Sequence, residues 1–325
     1  MSFRCLTLLS VYVVLLLSCN KTRYTPAAAV ALFQSDVHAQ AEDQIRIPNE
    51  IDALFNDINT ILLYQDAVVN DTETVALSNF PTICGLYAVT KNFVDTGSAS
   101  NLITVQYDGK TCDGTRARLG TIYLYQAQGS SFANAGDTVG VYFDNFKTYW
   151  LADDDSVVLN GPTFYLVNSS GGSLANFNAA STPVVQQIIG VNASVQFETL
   201  VTATWQIWRK RAFTYNGGMV ITTTGIDTAA GLAGVSEVGG NRFGNGFITT
   251  IDTPLVVSAG CSWRITGGKE HIVNPAGTTV LTFGLDSSGK PASCPLTGTP
   301  YYYQATWSGT GEAADTARFP YYSYY

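Results

Sequence analysis

The chain has 325 residues, of which 13% are charged, 46% hydrophobic and 12% aromatic, with 30 Gly and 18 Tyr. That balance excludes an intrinsically disordered chain and supplies enough apolar side chain for a sizeable core. A formal net charge of −8 argues against a nucleic-acid partner, because binding phosphate needs clustered Lys and Arg.

The first element is an apolar run of 15 residues from Cys5 to Cys19, with Arg4 before it and Lys21 and Arg23 after it. A membrane-spanning helix needs roughly 20 apolar residues and a secretory core roughly 7 to 15, so the run over residues 1–18 reads as a signal peptide. Its end, Leu16-Leu17-Ser18-Cys19, resembles the lipobox of bacterial lipoproteins. That resemblance makes Cys19 the acylated first residue of the mature chain and the membrane its partner. Asn20 follows where an Asp would favour retention at the inner membrane, so the expected address is the outer membrane, with either leaflet open.

Residues 19–47 are Ala-rich and polar and read as a tether, either extended or in part helical. From Asn49 the apolar residues Ile51, Leu54, Phe55, Ile58, Ile61 and Leu62 follow the i, i+3, i+4, i+7 spacing of an amphipathic helix. Asn49 is placed to cap it and Pro48 to stop anything upstream, giving a helix within residues 48–68 that packs on the sheet formed by the rest of the chain.

After residue 80 the pattern is β. Runs such as LITVQY, GTIYLYQA, TVGVYF and TTVLTFGL are rich in Val, Ile, Thr, Tyr and Phe, and turn signals at Asp108-Gly109, Asn160-Gly161, Asn216-Gly217-Gly218, Gly239-Gly240 and Ser287-Ser288-Gly289 punctuate them. Strands joined by short turns without intervening helices mean antiparallel sheet. The expected fold is mainly β, two related antiparallel units behind one amphipathic helix, sandwich-like or as one large twisted sheet. Residues 69–170 would form the first unit and 171–325 the second, either separate or continuous, with the loop-like 169–182 as the joint.

An internal repeat supports the two units. Cys84-Gly-Leu-Tyr, a strand, a hairpin ending at Cys112 and YLYQA recur about 180 residues later as Cys261-Ser-Trp-Arg, a strand, a hairpin ending at Cys294 and YYYQA. Four Cys in an exported chain allow three pairings. The repeat makes local disulfides Cys84 with Cys112 and Cys261 with Cys294 the economical choice.

A search for chemistry finds little. No Gly-x-Ser-x-Gly elbow occurs, and the two His, His38 and His271, assemble neither a triad nor metal-ligand spacing. Ser287-Ser-Gly-Lys290 matches Ser-x-x-Lys only formally, because it occupies a Gly turn rather than a helix start. Asp153-Asp154-Asp155 lacks the alternation and Gly of a calcium loop and reads as a solvated turn. Arg209-Lys210-Arg211 reads as a solvated strand edge. No catalytic, cofactor or metal residue is assigned. The aromatics suit sheet packing; exposed rings would suit sugar or peptide binding, and Trp205, Trp208, Tyr301 and Tyr303 are the candidate ligand contacts.

The run DGKTCDGTRARLGTIYLY from Asp108, FDNF from Phe143, the Trp205 strand and TTIDTPLVVSAGCSWRITG from Thr249 resemble a lipoprotein family common in Bacteroidota. That family combines a lipobox, an N-terminal helix, a Cys-turn-Arg-x-Arg-x-Gly-x-Ile hairpin and a Pro-Leu strand before a second Cys pair. Its Arg-x-Arg falls on Arg116 and Arg118, and the likeness covers most of residues 50–310, while residues 169–200 and the Tyr-rich tail depart from it. The resemblance implies architecture and address and carries no activity. The expected role is a lipid-anchored envelope protein that binds a polysaccharide or an envelope protein, or has a structural part. The alternative is an envelope glycosidase or other carboxylate-based hydrolase, for which two facing carboxylates in a cleft would be the sign.

Overall fold

The computed structural model describes residues 26–65, 73–94, 100–127, 130–152, 154–161, 164–294, 299–309 and 314–321. The signal segment, Cys19 and the last four residues lie outside them. The chain divides into two units, one ending at Ala39 and one running from Gln40, which holds all the described strands.

One α-helix, α1 (Pro26–Gln65), precedes every described strand. It starts well before the boundary expected at Pro48, inside the stretch that reads as a tether, and Pro48 and Asn49 are internal to it. Pro48 removes the hydrogen bond that the Gln44 carbonyl would accept, a cost of about 3 kcal/mol in an exposed helix. Here the helix is held by its surroundings, for Ile47, Asn49, Glu50 and Ile51 are all buried. Tertiary packing overrides the local stop signal.

Among the described residues, seventeen strands form a single sheet in which every pairing is antiparallel. They are β1 (Glu73–Val75), β2 (Leu86–Val94), β3 (Ser100–Lys110), β4 (Arg116–Ala127), β5 (Thr138–Trp150), β6 (Asp155–Asn160), β7 (Phe164–Asn168), β8 (Val184–Phe197), β9 (Thr202–Tyr215), β10 (Met219–Gly225), β11 (Asp227–Ala229), β12 (Leu232–Gly240), β13 (Gly246–Ser258), β14 (Arg264–Asn274), β15 (Gly277–Leu285), β16 (Tyr301–Gly309) and β17 (Asp315–Tyr321). The order is a meander in which two lanes are each shared by a pair of short strands. β6 and β7 share the lane between β5 and β8, and β10 and β12 share the lane between β9 and β13. The described residues are therefore mainly β behind one N-terminal α-helix, as the patterning implies. The sheet runs on from β7 to β8 without a break, so residues 169–182 connect two strands of one sheet rather than two bodies.

The sheet curls around residues 40–62 of α1. From Gln40 to Leu62 nearly every helix residue is buried, polar and apolar alike, and side chains along it meet strands from β3 to β14. A helix packed on one face of a flat sheet would leave its far side in water. This one is enclosed, and inward Val89, Ile103, Val105, Ile122, Leu124, Val141 and Phe143 complete the core around it.

Both disulfides pair as the repeat predicts, Cys84 with Cys112 and Cys261 with Cys294. Each ties the entrance of one hairpin strand to the exit of its neighbour, β2 to β3 and β14 to β15. Beside the first, Asp108-Gly109 belongs to β3 rather than to a turn, because Gly85 and Gly109 cross so closely that a Cβ on Gly109 would lie 2.9 Å from the Gly85 Cα.

Candidate functional site

The acidic residues of α1 meet basic residues of the sheet. Strand alternation sends Arg116 and Arg118 of β4 inward, where Glu50 accepts from Arg116 Nη1 and from Arg118 Nε, each at 2.6 Å, and from Thr148 Oγ1 at 3.1 Å. Asp57 Oδ2 accepts from Arg118 at 2.8 Å and from the Tyr107 hydroxyl at 3.1 Å. Burial pushes the Glu50 carboxyl up, but Arg118 and Arg116 together outweigh it and hold it below the usual range. At Asp57 burial prevails over Arg118, and the carboxyl is raised.

Arg209 and Arg211 of β9 point the same way. The sequence places them at a solvated edge, yet both are buried and only Lys210 between them is exposed. Alternation along the strand separates the arginines from the lysine but does not say which side is inside, because the acidic partners lie far away in sequence. Arg209 pairs with Glu237, reaches Asp52 at 3.3 Å and Glu270 at 3.6 Å, while Arg211 donates to Asn56 Oδ1 at 2.7 Å. Burial raises Glu237 against the pull of Arg209 and pushes Glu270 up to about 8. Three facing carboxylates are the sign sought for a hydrolase, but Asp52, Glu237 and Glu270 are 1%, 0% and 2% exposed and offer no cleft.

Asp155, from the acidic triplet, also turns inward rather than sitting in a solvated turn. Its Oδ2 accepts from Arg242 at 2.8 Å and from Arg46 at 3.4 Å, and Arg242 clasps Asp43 as well. Burial pushes Asp43 up to about 6 despite Arg242. Asp286, ahead of Ser287, closes its turn by accepting from the Ser288 and Lys290 amides. His38 lies in α1 and His271 in β14, and among the described residues no three His, Cys, Asp or Glu side chains are grouped to hold a metal ion.

Of the candidate aromatics, Trp205, Tyr301 and Tyr303 are buried, with Trp205 donating its indole N–H to Glu237. Trp208 faces outward and is half-buried. It ends a row that the register assembles across five lanes: Tyr125 opposite Gly140, Gly140 opposite Tyr165, Tyr165 opposite Ile189, and Ile189 opposite Trp208. Tyr125 and Tyr165 are 44% and 46% exposed. Two lanes separate each ring from the next, about 10 Å at ordinary strand spacing. One step along the strands Tyr123 faces Tyr142, ring centroids 6.3 Å apart, and the Tyr142 ring lies over Gly161, in the space a Cβ there would occupy. Gln187, Gln206 and Asn192 supply neutral amides beside this row.

A cavity of about 430 Å³ opens elsewhere, beside the C-terminal half of α1. Asn56, Asp57 and Asn59 of the helix, with Arg116 and Arg118, make its polar side, and Leu63, Phe213, Met219, Ile221 and Trp263 its apolar side. Its volume is that of a small-molecule site. Ser262 and Trp263 both have φ of 57°, a left-handed conformation rare for a side chain as bulky as Trp. The Ser262 and Trp263 amides close back onto the Ala259 and Ser258 carbonyls, so a tight turn next to Cys261 sets the ring at the cavity wall.

Tyr125, Tyr165, Asp57 and Trp263 carry no signal of a site in the sequence. A single strand shows which rings alternate with the core, but a row across strands exists only once register is known. Comparisons with protein-family models, curated proteins and solved structures gave no match.

Proposed function

We propose that this chain is a lipid-anchored protein of the bacterial envelope, held through Cys19 at the outer membrane, which binds an extended neutral polysaccharide along Tyr125, Tyr165 and Trp208. The observation that carries the reading is the row itself: three outward rings at a regular two-lane interval on a sheet stiffened from within. An interval of about 10 Å is comparable with a disaccharide repeat of an extended chain, so alternate sugars would each meet a ring. Aromatic faces suit the apolar faces of sugars, and neutral amides alongside suit hydroxyls. The residues of the row and the amides beside it include no facing carboxylate pair, which supports holding a polymer rather than cutting it.

The test incubates the full chain, purified in detergent, with insoluble host and bacterial polysaccharides while retained protein and released products are followed together. Retention without products, weakened on Trp208→Ala, is the expected result. Released products would overturn the non-catalytic reading, and absence of retention on every polymer would overturn the glycan reading in favour of a protein partner.

A further inference from the structure

We propose that the cavity beside α1 is a second binding site, for a small molecule carrying one ammonium group next to an apolar ring or chain. The inference is independent of the glycan row, which shares no residue with it.

The charges around the cavity are unequal. Its guanidinium groups, Arg116 and Arg118, are both engaged by Glu50 beneath the floor, and Arg118 also by Asp57. With Asp113, whose oxygens accept from Thr111, from the Thr115 hydroxyl and from the Thr115 amide, three carboxylates stand against these two cations, and Arg211, behind Asn56 and Phe213, is itself faced by Asp52. The last turn of α1 brings a partial negative charge and no basic residue to offset it. An anion entering here meets arginines already committed; a cation meets surplus negative charge.

Asp57 is the group positioned to receive it. Both of its hydrogen bonds fall on Oδ2, from Arg118 and Tyr107, which leaves Oδ1 for a ligand in the cavity that Asp57 lines. Glu50, in contrast, is closed off by three donors. The same cavity is lined by Trp263, Met219, Ile221 and Phe213. Trp263 can receive a cation on its ring face or an apolar ring edge-on, and its left-handed backbone would be an unneeded strain if the ring merely filled core. The ligand is accordingly two-sided, with an ammonium toward Asp57 and an apolar body toward Trp263.

Calorimetric titration of the full chain with cyclohexylamine, cyclohexanol and cyclohexanecarboxylate tests this, since the three differ only in head group. The amine is expected to bind at least ten-fold more tightly than the other two. Glucosamine, run alongside, separates a sugar-borne from a hydrocarbon-borne ammonium, and binding of either amine supports the site. Asp57→Asn should remove the preference, and Thr60→Leu should fill the space and abolish binding while leaving Asp57, Arg118 and Tyr107 untouched, which keeps the test decisive if Asp57→Asn does not fold. Trp208→Ala should bind the amine like the parent. Equal binding of the three head groups, preference for the carboxylate, or no amine binding at millimolar concentration would each overturn the proposal.

Discussion

Two Arg-x-Arg pairs grip the same helix, and they differ in charge parity. Arg116 and Arg118 make ion pairs with two carboxylates, Glu50 and Asp57, so each cation has a directly bonded counterpart. Around Arg209 and Arg211 stand three, Asp52, Glu237 and Glu270, and one carboxylate exceeds the cations of the pair. In the first cluster the guanidinium groups overcome burial and Glu50 is held below its usual range. In the second, burial pushes Glu270 up to about 8, so it carries a proton at neutral pH. The same device, a strand reaching inward with alternate arginines, thus holds Glu50 ionised in one place and leaves Glu270 protonated in the other.

The largest expected effect breaks the balanced cluster. Glu50→Ala leaves two buried guanidinium groups without their shared carboxylate and should cost about 3–5 kcal/mol in urea unfolding. A loss below about 1 kcal/mol would show that Asp57 alone neutralises both, and the parity argument would fail. Next come the disulfides. Their Cys lie 28 and 33 residues apart in sequence, so replacing either pair by Ser should lower stability by roughly 3 to 4 kcal/mol, nearly equally for the two. A large inequality would mean that one hairpin contributes more than its closed loop.

The acidity of the unbalanced cluster gives a smaller and signed effect. Glu270 binds its proton more tightly folded than unfolded, so its contribution is fully present below its ordinary value near 4.5 and is lost as pH rises toward about 8. One such proton gives a slope of at most about 1.4 kcal/mol per pH unit. Asp43, raised to about 6, adds to the fall between its ordinary 3.8 and that value. Glu50 acts in the opposite sense, stabilising above its ordinary value and losing that contribution as pH falls through its depressed one. Melting temperature measured from pH 4 to 9 should therefore decline between about pH 4.5 and 8, and Glu270→Gln should flatten that decline. An unaltered decline over that window in the variant would assign the slope to another group.

How much of this architecture is legible in the sequence depends on which contacts are local. The β character, the antiparallel hairpins and both disulfides rest on short-range alternation, turns and a visible repeat, and the fold bears them out. The apolar stripe of Ile51, Leu54, Phe55 and Ile58 is equally legible and is buried. The other side of that helix is not, because Glu50, Asp52 and Asn59 look like a solvated face until Arg116, Arg209 and Gln186, between 66 and 157 residues away, are brought to them. Arg209-Lys210-Arg211 is opaque for the same reason from the sheet side. Pro48 misleads because a local stop signal ignores the enclosure that holds the helix through it.

The outer row sharpens the comparison at the smallest cost in stability, since its rings and the arginines lie on opposite faces of the same strands: Trp208 is turned out and Arg209, the next residue, in. Removing a stacking ring should weaken glycan retention by roughly five- to ten-fold, the equivalent of about 1–1.5 kcal/mol per aromatic contact. Tyr125→Ala and Tyr165→Ala should do so with almost no change in melting temperature, because those rings are about half exposed. Trp208→Ala should lose somewhat more stability, as part of its ring is covered, whereas Trp208→Tyr should restore retention. The discriminating variant is the triple replacement at 125, 165 and 208. If alternate sugars meet alternate rings, the losses multiply toward 100-fold or beyond; if a single ring makes the contact, the triple variant will be no weaker than the worst single one, and the two-lane interval has no part in recognition.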